Sequence, residues 1–453
     1  MSVTRKKERE TKNSDFDLKG VKVVIENLGP VSKAEIVLGD YTALIGPTNS
    51  GKTFIILAVN RLISSWVLFF DFYVNILYDE ANNLLANKQK DTSSKDIKDL
   101  AVDRMDENLF KKAENKTKNM LYYLLKNGFL SIFGLDTKNL VSFGKEKARV
   151  SIEKDEHGKI EFVIDVSKKD ISFSVEIATN YNNKLKETYI EKEIPLRMRG
   201  EFPGFLIDFQ RHIPLFRFTR NPPYPKVGHI PAERMATMSA FAELIDFYAK
   251  SQGYRSIGNQ ESPSFSKPTI ANFLGDYIKI INSLHRLKVS PNAEKLIEGK
   301  VNISKKIIQK IEYTNESNTV KPQAISSGIS QLIPLVLMAE SKMYPILTVE
   351  EPEVNLHANK AVEVAEYLWS LDTPMFITTH SEYFLMKMAH LSVSKGIHRQ
   401  KTLKVYLLMN RTVMPLGISE KGELDEIKTI GDVINNLLSE IDDKEGKEHH
   451  ADN

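Results

Sequence analysis

The stretch Gly46-Pro-Thr-Asn-Ser-Gly-Lys52-Thr53 constrains this chain more than any other. Before it comes Tyr41-Thr-Ala-Leu-Ile45, a short β-rich run, and after it Phe54-Ile-Ile-Leu-Ala-Val-Asn60, which can continue as a helix. Strand, glycine loop, then helix is the context a phosphate-binding loop requires. Gly46 and Gly51 let the backbone curl so that N–H groups point inward at phosphate oxygens. The following helix adds the positive end of its dipole. Gly46, Pro47, Thr48, Asn49, Ser50, Gly51, Lys52 and Thr53 therefore form the predicted nucleotide-binding loop. Lys52 is expected to reach the β- and γ-phosphates, and the Thr53 hydroxyl to ligate Mg²⁺.

Composition narrows the class. At 453 residues the chain is long enough for two or three domains. Its 42% hydrophobic and 27% charged residues describe a soluble globular protein. The 62 basic and 59 acidic residues leave a formal charge of +3, so no global field favours nucleic acid, although local patches can. Cysteine is absent, which excludes disulfides, thiolate nucleophiles and thiolate metal sites. Met1 to Lys12 is charged and lacks the apolar core of a signal peptide. The most apolar stretch, Phe54 to Tyr78, carries Arg61 and Asp71, which predicts a buried helix rather than a membrane span. A cytoplasmic protein without a membrane partner is expected.

Residues 1–18 read as a flexible tail. Val21 to Asn27, Ala34 to Leu38 and the strand before the loop form a β-meander, broken at Leu28-Gly-Pro30 and Gly39-Asp40. Helical spacing holds from Arg61 to Gly134, with Leu100, Met105 and Leu109 at apolar positions. From Lys147 to about Ile194 the period changes to two, and Asp155-Glu-His-Gly158 is a hairpin-type turn. The predicted head is split between 19–60 and 200–418. A helical and antiparallel-β insert occupies 61–199, a helical lid 236–290, and a terminal helix with a polar tail 419–453.

Three motifs follow downstream. Ser326-Ser-Gly-Ile-Ser-Gln331 precedes an apolar run, and small residues ahead of a helix can make a second phosphate-binding N-terminus or a plain helix cap. Pro334 sits early in that run, so the first turn is expected to be irregular or to start late. Pro345-Ile-Leu-Thr-Val-Glu350-Glu351-Pro-Glu353 is an apolar strand ending in carboxylates. There Glu350 can hold Mg²⁺ through water, and Glu351 can polarise the attacking water as general base. Pro374-Met-Phe-Ile-Thr-Thr-His380-Ser381 is another buried-type strand, and His380 at its end can hydrogen-bond the γ-phosphate and the attacking water.

In this order the motifs resemble the ATP-binding-cassette (ABC) branch of P-loop ATPases. More narrowly, the chain is similar to the AAA family ATPases related to the overcoming-lysogenization-defect (OLD) nucleases. Asn27-Leu-Gly, the phosphate loop, Ile230-Pro-Ala-Glu-Arg234, Ser326-Ser-Gly, Glu350-Glu-Pro-Glu-Val-Asn-Leu-His357 and Thr379-His-Ser381 carry the likeness, over 21–60 and about 200–418. It implies an α/β P-loop NTPase of ABC type: a mixed sheet with flanking helices, an N-terminal antiparallel meander, and the helical and antiparallel-β insert. It also implies ATP and Mg²⁺ bound between two copies. One copy supplies the phosphate loop, Glu350, Glu351 and His380, and the other supplies Ser326, Ser327, Gly328 and Gln331 to clamp the γ-phosphate. Pro352 to His357 would touch the partner copy. Transporter-type cassettes have glycine where this chain has Ile329 and aspartate where it has Glu350, changes usual in the nuclease-related branch. A glutamine switch loop is not evident; by position Glu233 or Arg234 does that work or forms a structural salt bridge. The stretch after His380 shows no nuclease carboxylate cluster, so the expectation is an ATPase without the TOPRIM nuclease domain of its relatives.

The leading functional expectation is an ATP-hydrolysing dimerisation switch, as a homodimer or higher oligomer, in genome maintenance or defence against mobile elements. Its partner would be a nuclease or effector chain, or DNA. The alternatives are a phosphotransferase acting on a small molecule and an ATP-binding scaffold with little hydrolysis. Arg211, Arg217, Arg220 and Lys226 stand among Phe216, Phe218 and Tyr224, which fits either a DNA-contacting strip or a solvated face beside a core strand.

Overall fold

The computed structural model describes residues 20–86, 106–154, 160–177, 227–234, 289–303, 311–315, 318–320, 325–394 and 401–425, with 18, 182, 273–277, 280, 281 and 427. The chain opens with β1 (Lys22–Leu28), β2 (Val31–Val37) and β3 (Tyr41–Ile45). Next come helices α1 (Lys52–Ala86), α2 (Glu107–Phe133) and α3 (Thr137–Leu140), then β4 (Lys147–Lys154), β5 (Ile160–Ser167) and β6 (Ile171–Ile177). After β7 (Val227–Ile230) and α4 (Pro291–Leu296) lies a small sheet of β8 (Lys300–Ile303), β9 (Ile311–Asn315) and β10 (Asn318–Val320). The last third supplies α5 (Ser327–Glu340), β11 (Ile346–Glu350), α6 (Ala358–Ser370), β12 (Met375–Thr379), α7 (Glu382–Val393), β13 (Leu403–Met409) and β14 (Thr412–Leu416).

The main sheet has eleven strands in the order β6-β5-β4-β1-β2-β14-β13-β3-β12-β11-β7. From β6 to β2 the pairing is antiparallel. From β13 through β3, β12 and β11 to β7 it is parallel. This is an α/β fold on a mixed sheet, as the motifs imply. Strands β3, β11 and β12 are buried at every residue, which is why they read as largely apolar runs rather than as alternation. Successive residues of β3 feed two cores. Leu44 packs with α1 and the meander, while Ala43 and Ile45 pack with α5, α6 and α7 on the opposite face.

Helix α1 runs 35 residues without a break, so the expected boundary at residue 60 falls inside it. Strand β4 pairs with β1 along five residues, so the strands of the expected insert continue the sheet of the head. Lys52–Leu77 is long and apolar enough to cross a membrane, yet 72% of its most apolar window is buried inside the fold. Much of that burial comes from α2, which lies along α1. A Cβ on Gly128 of α2 would sit 1.4 Å from Nη2 of Arg61, so the glycine leaves the room in which that charged side chain lies against α2.

Helix α5 starts at Ser327 with a regular first turn and carries Pro334 inside it, against the expectation of an irregular start. The ring falls in the second turn, where it is buried. Leu109 lies buried on α2, whereas Leu100 and Met105 fall outside the described residues. The same holds for the cationic and aromatic strip at 211–226, the N-terminal tail before residue 18, nearly all of the predicted lid and the terminal helix.

Candidate functional site

The parallel strands end side by side, and Ile45 of β3 is level with Thr379 of β12. Glu350 of β11 is level with Thr378. The glycine loop, the carboxylates and His380 are therefore delivered to one edge of the sheet, the carboxyl edge where α/β folds bind ligands.

In the loop, Asn49 and Gly51 take positive φ, 61° and 112°. Gly51 is required twice over: its φ suits glycine, and a Cβ there would meet Pro30 Cγ at 2.8 Å and Val31 Cγ2 at 2.9 Å. The β1–β2 turn thus holds the loop from beneath. Pro47, Thr48 and Asn49 are exposed, Ser50 and Gly51 are half-buried, and Gly46 and Lys52 are buried. Three acceptors surround the Lys52 ammonium: Gly46 O at 2.9 Å, Pro47 O at 2.9 Å and His380 Nε2 at 2.8 Å. Burial brings this amine down to about 8, while the charges of Glu351, Glu353 and Glu350 pull the other way.

The carboxylates divide their work. Glu350 Oε2 accepts from the Thr53 hydroxyl at 3.3 Å, and its Oε1 lies 3.2 Å from His229 Nε2. Glu351 follows in a left-handed conformation, φ 44°, which turns the chain out of the strand. Its Oε1 stands 3.2 Å from His380 Nε2, and that contact, with the Lys52 and Arg234 charges, holds its carboxyl below the ordinary value against burial. One ring nitrogen cannot accept from Lys52 and donate to Glu351 at the same moment. His380 is therefore shared between a cation and a carboxylate, and whichever releases it leaves it to the other.

Glu353 points inward. Its Oε1 accepts from the Thr379 hydroxyl (2.5 Å) and the His380 N–H (3.0 Å), which fixes the backbone that carries His380. Burial raises this carboxyl. Pro352 is buried as well, so of the expected partner-facing loop only Asn355 and His357 are exposed.

Arg234 holds the corner together. It is fully buried, and all five N–H donors reach backbone carbonyls. Nε donates to Gln331 O (3.0 Å), Nη1 to Pro231 O (3.2 Å) and Glu350 O (3.1 Å), and Nη2 to Glu351 O (3.2 Å) and Pro352 O (2.8 Å). The guanidinium, brought down to about 10 by burial, links the first turns of α5 to the carboxylate corner. Of the two readings left open for Arg234, the structural one fits, although its partners are carbonyls rather than a carboxylate. At the start of α5, Ser326 caps the helix through Ile329 N–H (3.5 Å). Ser326 and Ser327 are exposed, and Gly328 is half-buried against Leu356. Gln331 departs from expectation: its side chain is 2% exposed, on the inward face of the helix, so it is not presented to a second copy.

Sequence reasoning missed three polar residues behind Glu350: Asn60, His229 and Thr348. Only their place in apolar runs marks them, since no motif spacing includes them. A cavity also opens beside the loop, lined by Pro30, Pro47, Asn49, Ser50 and Arg411, with fully exposed Phe143 at its wall.

No protein-family model matches the sequence, and no curated protein matches it. Among solved structures the chain is similar to an Smc head bound to the C-winged helix domain of ScpA, at 12% identity and a TM-score of 0.38, over 92% of this chain and 99% of that one. It is similar to the SMC head domain from Thermotoga maritima at 13% identity and a TM-score of 0.36, over 89% and 100%. A third is an Smc head with an extended coiled coil, bound to the C-terminal domain of ScpA derived from Pyrococcus furiosus, at 11% identity and a TM-score of 0.39, over 93% and 99%. Likeness this distant leaves activity to be argued from the site.

Proposed function

We propose that the chain binds and hydrolyses ATP, in the manner of ABC-type ATPases, and uses the nucleotide to join two copies of its head. The observation that carries this reading is the meeting of Lys52, Glu351 and His380, with His380 Nε2 2.8 Å from the ammonium and 3.2 Å from the carboxylate. Lys52 opens the helix that follows β3, while Glu351 and His380 directly follow β11 and β12, and a cation beside a base and a group that can position water is a combination that phosphoryl transfer uses.

In this reading the loop N–H groups and Lys52 hold the β- and γ-phosphates. Thr53 and Glu350 fit a divalent cation, since a hydroxyl and a carboxylate oxygen already face each other at 3.3 Å. A divalent cation held there would help to neutralise the charge that develops on the phosphates. As the phosphates draw Lys52 toward them, His380 is released toward Glu351 and the attacking water. Glu351 accepts the water proton, and its lowered pKa keeps it ionised for that step near neutral pH. Arg234 fixes the backbone of Glu350 and Glu351, so both carboxylates are held before substrate arrives. The start of α5, with exposed Ser326 and Ser327, would close over the γ-phosphate bound by a second copy.

The biological setting is proposed from the motif order alone: an ATPase of the OLD-related branch, in genome maintenance or defence, acting on a separate effector chain or on DNA. The domain division proposed with it is one head with its helical and β additions.

The test is phosphate release beside light scattering. Glu351→Gln should lower turnover by about 10² or more, the scale for removing a general base, while gaining mass with Mg-ATP. Lys52→Ala should lose both nucleotide binding and the mass change. Unchanged hydrolysis in Glu351→Gln refutes the assignment of the base. Phosphorylated small-molecule product in place of free phosphate would instead mark a phosphotransferase.

A further inference from the structure

Behind Glu350 lies a polar cluster that phosphate handling does not use. Thr348 of β11 is its hub and is fully buried. Its hydroxyl donates to Gly228 O at 3.1 Å, accepts from Asn60 Nδ2 at 2.9 Å and lies 3.0 Å from His229 Nδ1. A hydroxyl has one proton to give, and because Gly228 O can only accept while Asn60 Nδ2 can only donate, all three partners are satisfied only when that proton goes to Gly228 O. It can therefore only accept from His229, which puts a ring proton on Nδ1.

The other end of that ring is left over. His229 Nε2 has no hydrogen-bond partner, although the side chain is only 10% exposed. It lies 3.2 Å from Glu350 Oε1 without the geometry of a hydrogen bond. A nitrogen lone pair beside a carboxylate oxygen, both withdrawn from water, is unfavourable unless a cation joins them. The second oxygen of the same carboxylate faces the Thr53 hydroxyl. A metal-binding histidine usually has its far N–H fixed by a neighbouring acceptor, and Thr348 stands in that place.

We propose that His229 Nε2 is a direct ligand of the divalent cation held with the nucleotide by Thr53 and Glu350. The inference rests on the ATP-binding reading above. A nitrogen ligand changes which ion the site prefers. Mg²⁺ favours oxygen ligands and keeps its waters, whereas imidazole suits later first-row ions. The site then selects Mn²⁺ or Co²⁺ over Mg²⁺ more strongly than ATP alone does.

The experiment is electron spin-echo spectroscopy of Mn²⁺ bound to the full chain with a non-hydrolysable ATP analogue. The expected result is nitrogen modulation from a coordinated imidazole, converted to the ¹⁵N pattern by ¹⁵N-histidine labelling of the unsubstituted chain. The signal should persist in His380→Gln and vanish in His229→Gln. Mn²⁺ affinity in His229→Gln should fall roughly tenfold or more, the scale for weakening a metal site through its supporting groups. Nucleotide-dependent Mn²⁺ binding without nitrogen coupling overturns the inference and leaves the ATP reading intact, as does coupling that disappears in His380→Gln. In that case His229 is the counter-ion of Glu350. Failure of Mn²⁺ to bind with the nucleotide at all removes the ATP reading, and the inference with it. Because the isotope arm needs no substitution, a misfolded His229→Gln protein does not shield the proposal.

Discussion

Replacing Arg234 with lysine tests how the carboxylate corner is held. Lysine keeps the charge but brings three donors where arginine brings five. Five carbonyls now receive those donors, from Pro231, Gln331, Glu350, Glu351 and Pro352. At least two lose their partner in Arg234→Lys. All lie in a buried corner, and an unpaired buried polar group costs about 1–3 kcal/mol, so the loss is roughly 2–6 kcal/mol. The lower end applies if Glu351 O is one of the two, because it also accepts from Val354 N–H at 3.0 Å. Urea unfolding followed by circular dichroism measures this. At a slope of about 3 kcal/mol/M, a loss of about 3 kcal/mol moves the midpoint down by about 1 M. Hydrolysis should fall further than nucleotide binding does, because Lys52 and its loop are anchored separately from residues 350–352. A midpoint unchanged within about 0.5 kcal/mol would show that the guanidinium bonds do not hold the corner, since neutral surface substitutions stay in that range.

Four further outcomes are expected. Glu353→Ala strips Thr379 Oγ1 and the His380 N–H of their acceptor and should cost about 2 kcal/mol or more, whereas Glu353→Gln keeps an acceptor and should cost less, both read by unfolding. The raised Glu353 carboxyl favours the neutral form in the fold, so its contribution is present below the ordinary value of 4.5 and is lost as pH rises through the raised value; Glu353→Gln should remove that part of the pH dependence of unfolding. Lys52 titrates near 8, so the affinity for a fluorescent ATP analogue should decline as pH rises through that value, and a flat profile to well above it would contradict a charged Lys52 contact. Gly51→Ala combines a φ of 112° with contacts of 2.8 and 2.9 Å to Pro30 and Val31, so nucleotide affinity and melting temperature should both drop; native-like values in both would mean the turn yields to a Cβ.

Much of the site is legible in the sequence, because each motif is local. Gly46 to Thr53 carries its own turn chemistry, and the apolar runs ending at Glu350 and Thr379 announce buried parallel strands with polar ends. Strand pairing then decided what one chain position cannot say. It set β3 between β12 and β13, brought Lys52 to His380 across 328 positions of chain, and turned Glu353 inward. It joined the expected insert to the head's own sheet, since an edge strand takes whichever partner lies beside it and composition does not name that partner. Gln331 and Arg234 show the same limit. A glutamine in a serine- and glycine-rich motif reads as a ligand, but helical phase placed it inside. An arginine after Pro-Ala-Glu reads as a switch or an ion pair, but the carbonyls it clasps come from three segments that only the folded sheet brings together. His229 is marked in the sequence only by its place in an apolar run, because its meaning lies in the hydroxyl of Thr348 and the carboxylate of Glu350 on the next strand, and both contacts exist only across the sheet.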